Sequence, residues 1–314
     1  MTDTPAPDPS FRSGTVVIVG RANTGKSSFL NRVLGETVTV VSPVAQTTRR
    51  LVRGIYNRPG LQIVFLDTPG IRAATHRLGA LLNRTARAQT AGADAVCLLL
   101  DASVPPRDED LGWMKKLARD PTPVYALLNK TDLPHRRAPY EAAWRDILSA
   151  ATSRDSSYAP PPIAWHEISA ATGAGIPELL DALAMRLPPG PPLFDPDTLT
   201  DDPLPYFIAD LIRAEYNKRL TAELPHALAV SVDSLSDAPD GSTAVSATLH
   251  VEKPTQRPIL LGQKGRLIRA VRRAVEHELA TLFDRPHHLE MWIKVTPDWS
   301  QNYWLLRKFG YLGN

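Results

Sequence analysis

Gly20-Arg21-Ala22-Asn23-Thr24-Gly25-Lys26-Ser27 has the spacing G-x-x-x-x-G-K-[ST], and the next residue is Ser28. Glycines let a backbone turn sharply and approach a ligand closely. A run of main-chain N–H groups that leads into a helix N-terminus favours an anion. The chemistry implied is a cradle for nucleotide phosphates. In it Lys26 reaches the β- and γ-phosphates and the Ser27 hydroxyl ligates Mg²⁺. The buried strand Thr15-Val16-Val17-Ile18-Val19 before the loop supplies the strand–loop–helix context that the pattern needs.

A phosphate loop does not choose its base. Asn129-Lys130-Thr131-Asp132 fits N-K-x-D at the end of an apolar run. A carboxylate there accepts from guanine N1–H and N2–H₂ together, and adenine has neither donor. Leaving that carboxylate unpaired rejects ATP. Asp67-Thr68-Pro69-Gly70 follows another apolar run. Asp67 is expected to hold Mg²⁺ through water, and the Gly70 N–H to meet the γ-phosphate. Thr47 and Thr48 lie between these elements, and Thr48 is the expected further ligand to Mg²⁺. Ser169 and Ala170 are expected to support the base. A glutamine that orients the attacking water often follows the D-x-x-G glycine. Here that position holds Ile71, which forms no hydrogen bond, so hydrolysis is expected to be slow or assisted.

The second half carries other chemistry. Gly262-Gln263-Lys264-Gly265 fits the GxxG loop with which KH domains clamp a nucleic-acid backbone. An apolar run, Ile259 to Leu261, precedes it, and an amphipathic helix with Leu267, Val271, Val275 and Leu279 on one stripe follows. Arg266, Arg269, Arg272 and Arg273 avoid that stripe and are expected to face phosphates. Lys253 to Val275 holds seven basic residues and no acidic one. A second GxxG, Gly310 to Gly313, has no helix after it and is given no role.

These residues need a scaffold. Strand signals at Thr15–Val19, Leu61–Leu66, Ala95–Leu100, Val124–Leu128 and Ile163–Ile168 alternate with helical segments such as Leu78–Ala91 and Asp108–Arg119. That alternation marks an α/β domain with a mostly parallel sheet. It is expected over residues 14–187, after a disordered tail at 1–13. A proline-rich linker follows at 188–204. Residues 205–314 read as an α+β domain of order α-β-β-α-β. Its elements are a helix Tyr206–Leu224, strands Ala227–Val232 and Val245–Val251, a helix Arg266–Phe283 and a last strand Leu289–Val295. A short C-terminal helix closes the chain.

The 314 residues include 43% hydrophobic and 22% charged side chains, ordinary values for a globular protein. The net charge of +3 means that any nucleic-acid surface must come from local clustering. The single cysteine, Cys97, lies in an apolar run and excludes an internal disulfide. No apolar stretch approaches the length of a membrane-spanning helix, and the N-terminus lacks signal-peptide features. The expected location is the cytoplasm.

In this order the nucleotide elements resemble the translation-factor-related GTPases, and more finely the Era family of bacterial GTPases. The finer likeness rests on Gln46-Thr47-Thr48-Arg49, Asp67-Thr68-Pro69-Gly70, the proline-rich linker, Glu223-Leu224-Pro225-His226 and Asp298-Trp299, and spans Gly14 to Tyr311. The resemblance implies a GTPase domain followed by a type II KH domain. It implies binding of GTP, GDP and Mg²⁺, with the KH domain on the 3′ region of small-subunit (16S) rRNA in 30S assembly. It further implies a monomer without DNA as a partner, and a peripheral contact with the inner face of the cell membrane. In related families an asparagine at the place of Asn23 helps bind a potassium ion. The alternative is that Asn23 only tolerates an unusual φ in the loop. Two other functions stay open: a GTPase whose second domain docks on protein or membrane, and an RNA-binding module that uses GTP as a structural ligand.

Overall fold

The computed structural model describes residues 10–41, 49–69, 78, 84, 90, 92–155, 157–220 and 224–312. They divide into two compact units. The first takes the residues up to Thr39 and those from Leu51 to Asp201, apart from Leu78. The second takes Val40, Val41, Arg49, Arg50, Leu78 and the chain from Asp202 onward.

In the first unit the strands are β1 (Arg12–Val19), β2 (Val52–Arg58), β3 (Leu61–Asp67), β4 (Ala95–Asp101), β5 (Val124–Asn129) and β6 (Ile163–Glu167). They form one sheet in the order β2-β3-β1-β4-β5-β6. Only β2 runs antiparallel to its neighbour. The helices are α1 (Lys26–Leu34), α2 (Asp108–Leu117), α3 (Ala138–Thr152) and α4 (Ile176–Arg186). The apolar runs read from the sequence are buried on both faces, as parallel strands require. Along β1, Val16 and Ile18 join Phe29 of α1 and Leu183 of α4 in one cluster. Val17 and Val19 join Trp113 of α2 and Tyr140 of α3 in another. Because β1, β3, β4 and β5 are parallel, Gly20, Asp67, Asp101 and Asn129 all lie at the same edge of the sheet.

Strand β2 was not among the expected strands. Of the helix expected over Leu78–Ala91, only Leu78, Arg84 and Thr90 are described, the first two helical. The proline-rich stretch, expected as a semi-rigid linker, is fastened to the first unit through most of its length. Ser13 donates to the Pro191 carbonyl, and Leu193 and Phe194 donate to the Gln62 side chain. Ile55 donates to Leu199, and the Asn57 amide to Pro196.

The second unit runs α5 (Leu204–Asn217), α6 (Leu224–Ala227), β7 (Ala229–Asp237), β8 (Thr243–Val251), α7 (Arg257–Leu261), α8 (Arg266–Phe283), β9 (His287–Val295) and α9 (Tyr303–Lys308). The sheet β7-β8-β9 pairs β7 antiparallel and β9 parallel to β8. The order α5-β7-β8-α7-α8-β9 is that of a type II KH domain. The long helix expected from Tyr206 to Leu224 ends at Asn217, and a separate turn starts at Leu224. Pro225 lacks an N–H and suits a helix start, not an interior. Ile208, Ile212, Val245, Leu249, Val271 and Val275 build the core.

Arg49 is buried in this unit. Its guanidinium donates to the carbonyls of Leu228 (2.9 Å) and Pro225 (2.8 Å). Arg50 pairs with Asp210 at 3.1 Å and with Asp202. Val40 joins the same hydrophobic core.

Candidate functional site

The phosphate loop leaves β1 at Val19 and enters α1 at Lys26. Neither of its two glycines has a substitute. Gly20 has φ of 151°, and a Cβ there would meet the Leu99 carbonyl oxygen at 2.5 Å. Gly25 has φ of 97°, and a Cβ would meet Asn129 Nδ2 at 2.4 Å. Asn23 takes the left-handed conformation, φ 64°, and is exposed at the loop's tip. Thr24 is buried, and its hydroxyl donates to the Arg21 carbonyl at 3.1 Å.

Lys26 is buried at the start of α1, and its ammonium donates to the carbonyls of Arg21 (2.8 Å) and Gly20 (3.2 Å). Burial pulls its pKa down to about 8, and the nearby Asp67 opposes that shift. Asp67, the last residue of β3, is wholly buried and accepts from the Ser27 hydroxyl at 2.9 Å. Burial pushes its carboxyl up to about 6, against the charge of Lys26 and the hydrogen bond from Ser27. Its second oxygen, Oδ1, has no hydrogen-bond partner among the described residues. An orphaned carboxylate oxygen beside a hydroxyl, at the mouth of a phosphate cradle, is an all-oxygen donor set that suits Mg²⁺. The remaining expected members, Thr48, Gly70 and Ile71, lie outside the described residues.

The base side is assembled from two strand ends. The Asn129 side chain donates to the Thr24 carbonyl at 2.7 Å, and its Oδ1 accepts from the Ala170 N–H at 2.9 Å. Asn129 thus braces the phosphate loop against the segment after β6. Asp132 is exposed, and its carboxylate is steadied by the Ser169 hydroxyl at 2.6 Å. Lys130 stands at φ 71° and reaches Asp101 at 2.6 Å. Burial works against ionisation of Asp101. Hydrogen bonds from Lys130 and Ser103, with the charges of Lys130 and Arg21, outweigh burial and hold its carboxyl below the usual range.

Two residues at this sheet edge have partners that the sequence reading did not name. Arg21, expected among the nucleotide contacts, sends its side chain to Asp101 (3.3 Å) and Asp110 (3.1 Å), so only its main chain lines the loop. Asp101 was missed. Its one signal was an acidic residue closing an apolar strand at the same sheet edge.

In the second unit the GxxG loop joins α7 to α8. Gly262 has φ of 68°, and a Cβ there would meet the Leu267 nitrogen at 2.9 Å and its Cβ at 2.6 Å. Lys264 and Gly265 also have positive φ, 50° and 71°. Gln263 and Lys264 are exposed, as are Arg266, Arg269, Arg272 and Arg273 on α8. Val271, Val275 and Leu279 are buried, and Leu267 packs partly buried against the core. Arg269 donates to the Lys264 carbonyl at 2.7 Å, so it steadies the loop as well as charging its surface.

Comparison with known proteins agrees with this geometry. The family model described as 50S ribosome-binding GTPase matches residues 15–130, and the KH domain model matches residues 223–300. GTPase Era of Geobacter metallireducens is 37% identical over 97% of this chain and 99% of its own length. GTPase Era of Leuconostoc citreum is 35% identical over 96% and 97%. The crystal structure of Era in complex with MgGDPNP and nucleotides 1506–1542 of 16S ribosomal RNA matches with a TM-score of 0.80 at 31% identity, covering 96% of this chain and 99% of that one. Aquifex aeolicus Era bound to GDP and AlF₄⁻ matches equally well, with a TM-score of 0.80 at 30% identity over the same shares. With likeness of this extent and both domain models in place, the chain belongs to the Era family of GTPases.

Proposed function

We propose that the chain binds GTP and GDP with Mg²⁺, hydrolyses GTP slowly, and uses its KH unit to bind the 3′ region of 16S rRNA during assembly of the 30S subunit. Residues 14–187 are the nucleotide-binding domain in this reading, and 205–314 the RNA-binding one. Asp132, held by Ser169, reads guanine. The loop from Gly20 to Ser28 holds the phosphates, with Lys26 supplying their counter-charge. Ser27, Thr48 and Asp67 hold the metal ion, which when bound neutralises charge on the phosphates. Asn23 supplies a ligand to potassium, which assists turnover where Ile71 offers the attacking water nothing. The protein acts as a cytoplasmic monomer that touches the membrane's inner face only peripherally.

The observation that carries the RNA half is the Gly262–Gly265 loop. Its positive φ values and small residues leave main-chain groups open to a close-lying backbone, and four exposed arginines of α8 follow it. Support also comes from the relative solved with an rRNA segment at 31% identity.

The test is the double variant Gln263→Asp with Lys264→Asp, titrated with single-stranded 16S rRNA. Both side chains are exposed, so stability should change little. RNA binding should be lost while GTP binding persists. If the folded variant binds RNA as tightly as the parent, the second unit is instead a surface for protein or membrane.

A further inference from the structure

The C-terminal helix α9 presents two large aromatic side chains outward. Trp304 is 72% exposed and Tyr303 58%. Their rings meet edge to face, with centroids 5.5 Å apart. The opposite side of the helix is fixed. Leu306 and Phe309 are buried, and Phe309 packs on Trp299 and on His250 of β8, with centroids 5.8 Å and 4.8 Å apart. Trp299 in turn donates its indole N–H to the Ala227 carbonyl at 3.0 Å. The Asn302 side chain caps the first turn by accepting from the N–H groups of Trp304 and Leu305. The aromatic pair therefore stands on a rigid support.

Charge surrounds it. Lys308 follows Trp304 by four residues and Arg307 follows Tyr303 by four, so each aromatic shares a helix face with a cation. No acidic residue occurs after Asp298. Lys294 of β9 is the register partner of His250, the residue on which Phe309 packs.

We propose that Tyr303 and Trp304 form a stacking platform for an unpaired base of bound RNA, with Arg307 and Lys308 on its flanking phosphates. This rests on the RNA reading of the second unit. Aromatic faces beside cations are the usual means of holding single-stranded nucleic acid, and every base has a π-face to offer. A membrane fits less well. The six-residue helix spends Leu306, and the chain its capping residue Phe309, on the core, and only two aromatic rings are left for insertion.

The experiment titrates fluorescein-labelled RNA of nucleotides 1506–1542 against the full chain at several salt concentrations. Tyr303→Ala with Trp304→Ala should weaken binding about 5- to 150-fold for one stacked base, with the salt slope unchanged. Trp304→Phe should retain most of the affinity. Lys308→Ala should flatten the slope by up to about one unit. Unchanged affinity in the double alanine variant would overturn the platform, provided the Gln263→Asp, Lys264→Asp variant loses binding in the same assay. If that variant also binds normally, the RNA reading falls and the platform with it. A double alanine variant that loses affinity for phosphatidylglycerol vesicles and not for RNA would assign the pair to a membrane and overturn the proposal as well.

Discussion

Ser27 Oγ donates to one carboxylate oxygen of Asp67 and leaves the other, buried, without a partner among the described residues. The two residues come from different elements, the start of α1 and the end of β3, so their meeting depends on the parallel pairing of β1 with β3. If Asp67 orients the metal's shell, Asp67→Asn should raise the Mg²⁺ concentration for half-maximal turnover by about 10- to 100-fold. A magnesium titration of GTP hydrolysis measures this, and an unshifted midpoint would remove Asp67 from that role. Lys26→Ala should abolish most nucleotide affinity at any magnesium concentration.

Asn129 and Asp132 should fail in different ways. Asn129→Ala removes two buried hydrogen bonds and frees the phosphate loop from Ala170. It should cost roughly 1–3 kcal/mol of stability and weaken all nucleotides alike. Asp132→Asn should leave stability unchanged and shift preference from guanine to xanthine nucleotides, because an amide can donate to the xanthine 2-oxo group. Competition titrations with GTP, XTP and ATP separate the two. Equal ATP and GTP affinities in the parent would refute the base assignment.

Turnover compared in potassium, sodium and caesium at equal ionic strength tests Asn23. Potassium should give the fastest hydrolysis, and Asn23→Ala should level the three. Equal rates in the parent would leave Asn23 as only a residue that tolerates a positive φ.

Arg49→Met should destabilise the second unit by roughly 2–4 kcal/mol, because the carbonyls of Pro225 and Leu228 lose their shared donor in a buried site. Arg49→Lys should rescue little, since a single ammonium does not reproduce the planar fork. Urea unfolding of both variants decides it. A shift of less than about 0.5 kcal/mol, the usual range of surface substitutions, would mean that the carbonyls find other partners.

His250 gives a pH signature. Burial pulls its pKa down to about 4, helped by Lys308 and Lys294 and opposed by Asp233. Its ring also contacts the hydroxyls of Ser231 and Thr296. Above the unfolded value of about 6.5 both states are neutral and nothing is lost. Between about 6.5 and about 4 the unfolded chain takes up a proton that the folded chain refuses, so stability falls as pH falls. The loss could reach about 3 kcal/mol by linkage. Denaturant unfolding at pH 7.5 and pH 5 should show the parent losing more stability than His250→Gln, and parallel losses would refute the assignment.

Much of the site could be read from sequence because its geometry is carried by residues with few alternatives. Gly20, Gly25 and Gly262 sit where a Cβ would strike a neighbour, so spacing alone locates them. The brace made by Asn129 was less legible, since the same residue serves equally well as a turn former. Arg21 was placed in the loop by its spacing, but the partners of its side chain were not legible. The variable positions of the phosphate loop are free to answer to the rest of the sheet edge, here Asp101 and Asp110. Strand β2 escaped because Arg53, Gly54 and Asn57 dilute its pattern, and an outermost strand needs less apolar character than an inner one.

The fastening of the proline-rich stretch bears on solubility. Strand β2 is the last in the sheet, and its outward N–H and C=O groups could recruit a strand from another molecule. Leu199 accepts from Ile55, and the Thr200 hydroxyl donates to Arg53, so those groups are already engaged. The prolines in the covering segment have no N–H to pass the ladder on. The stretch that reads as a connector thus works as a selvedge, finishing the sheet so that it does not fray into intermolecular β-pairing and aggregation.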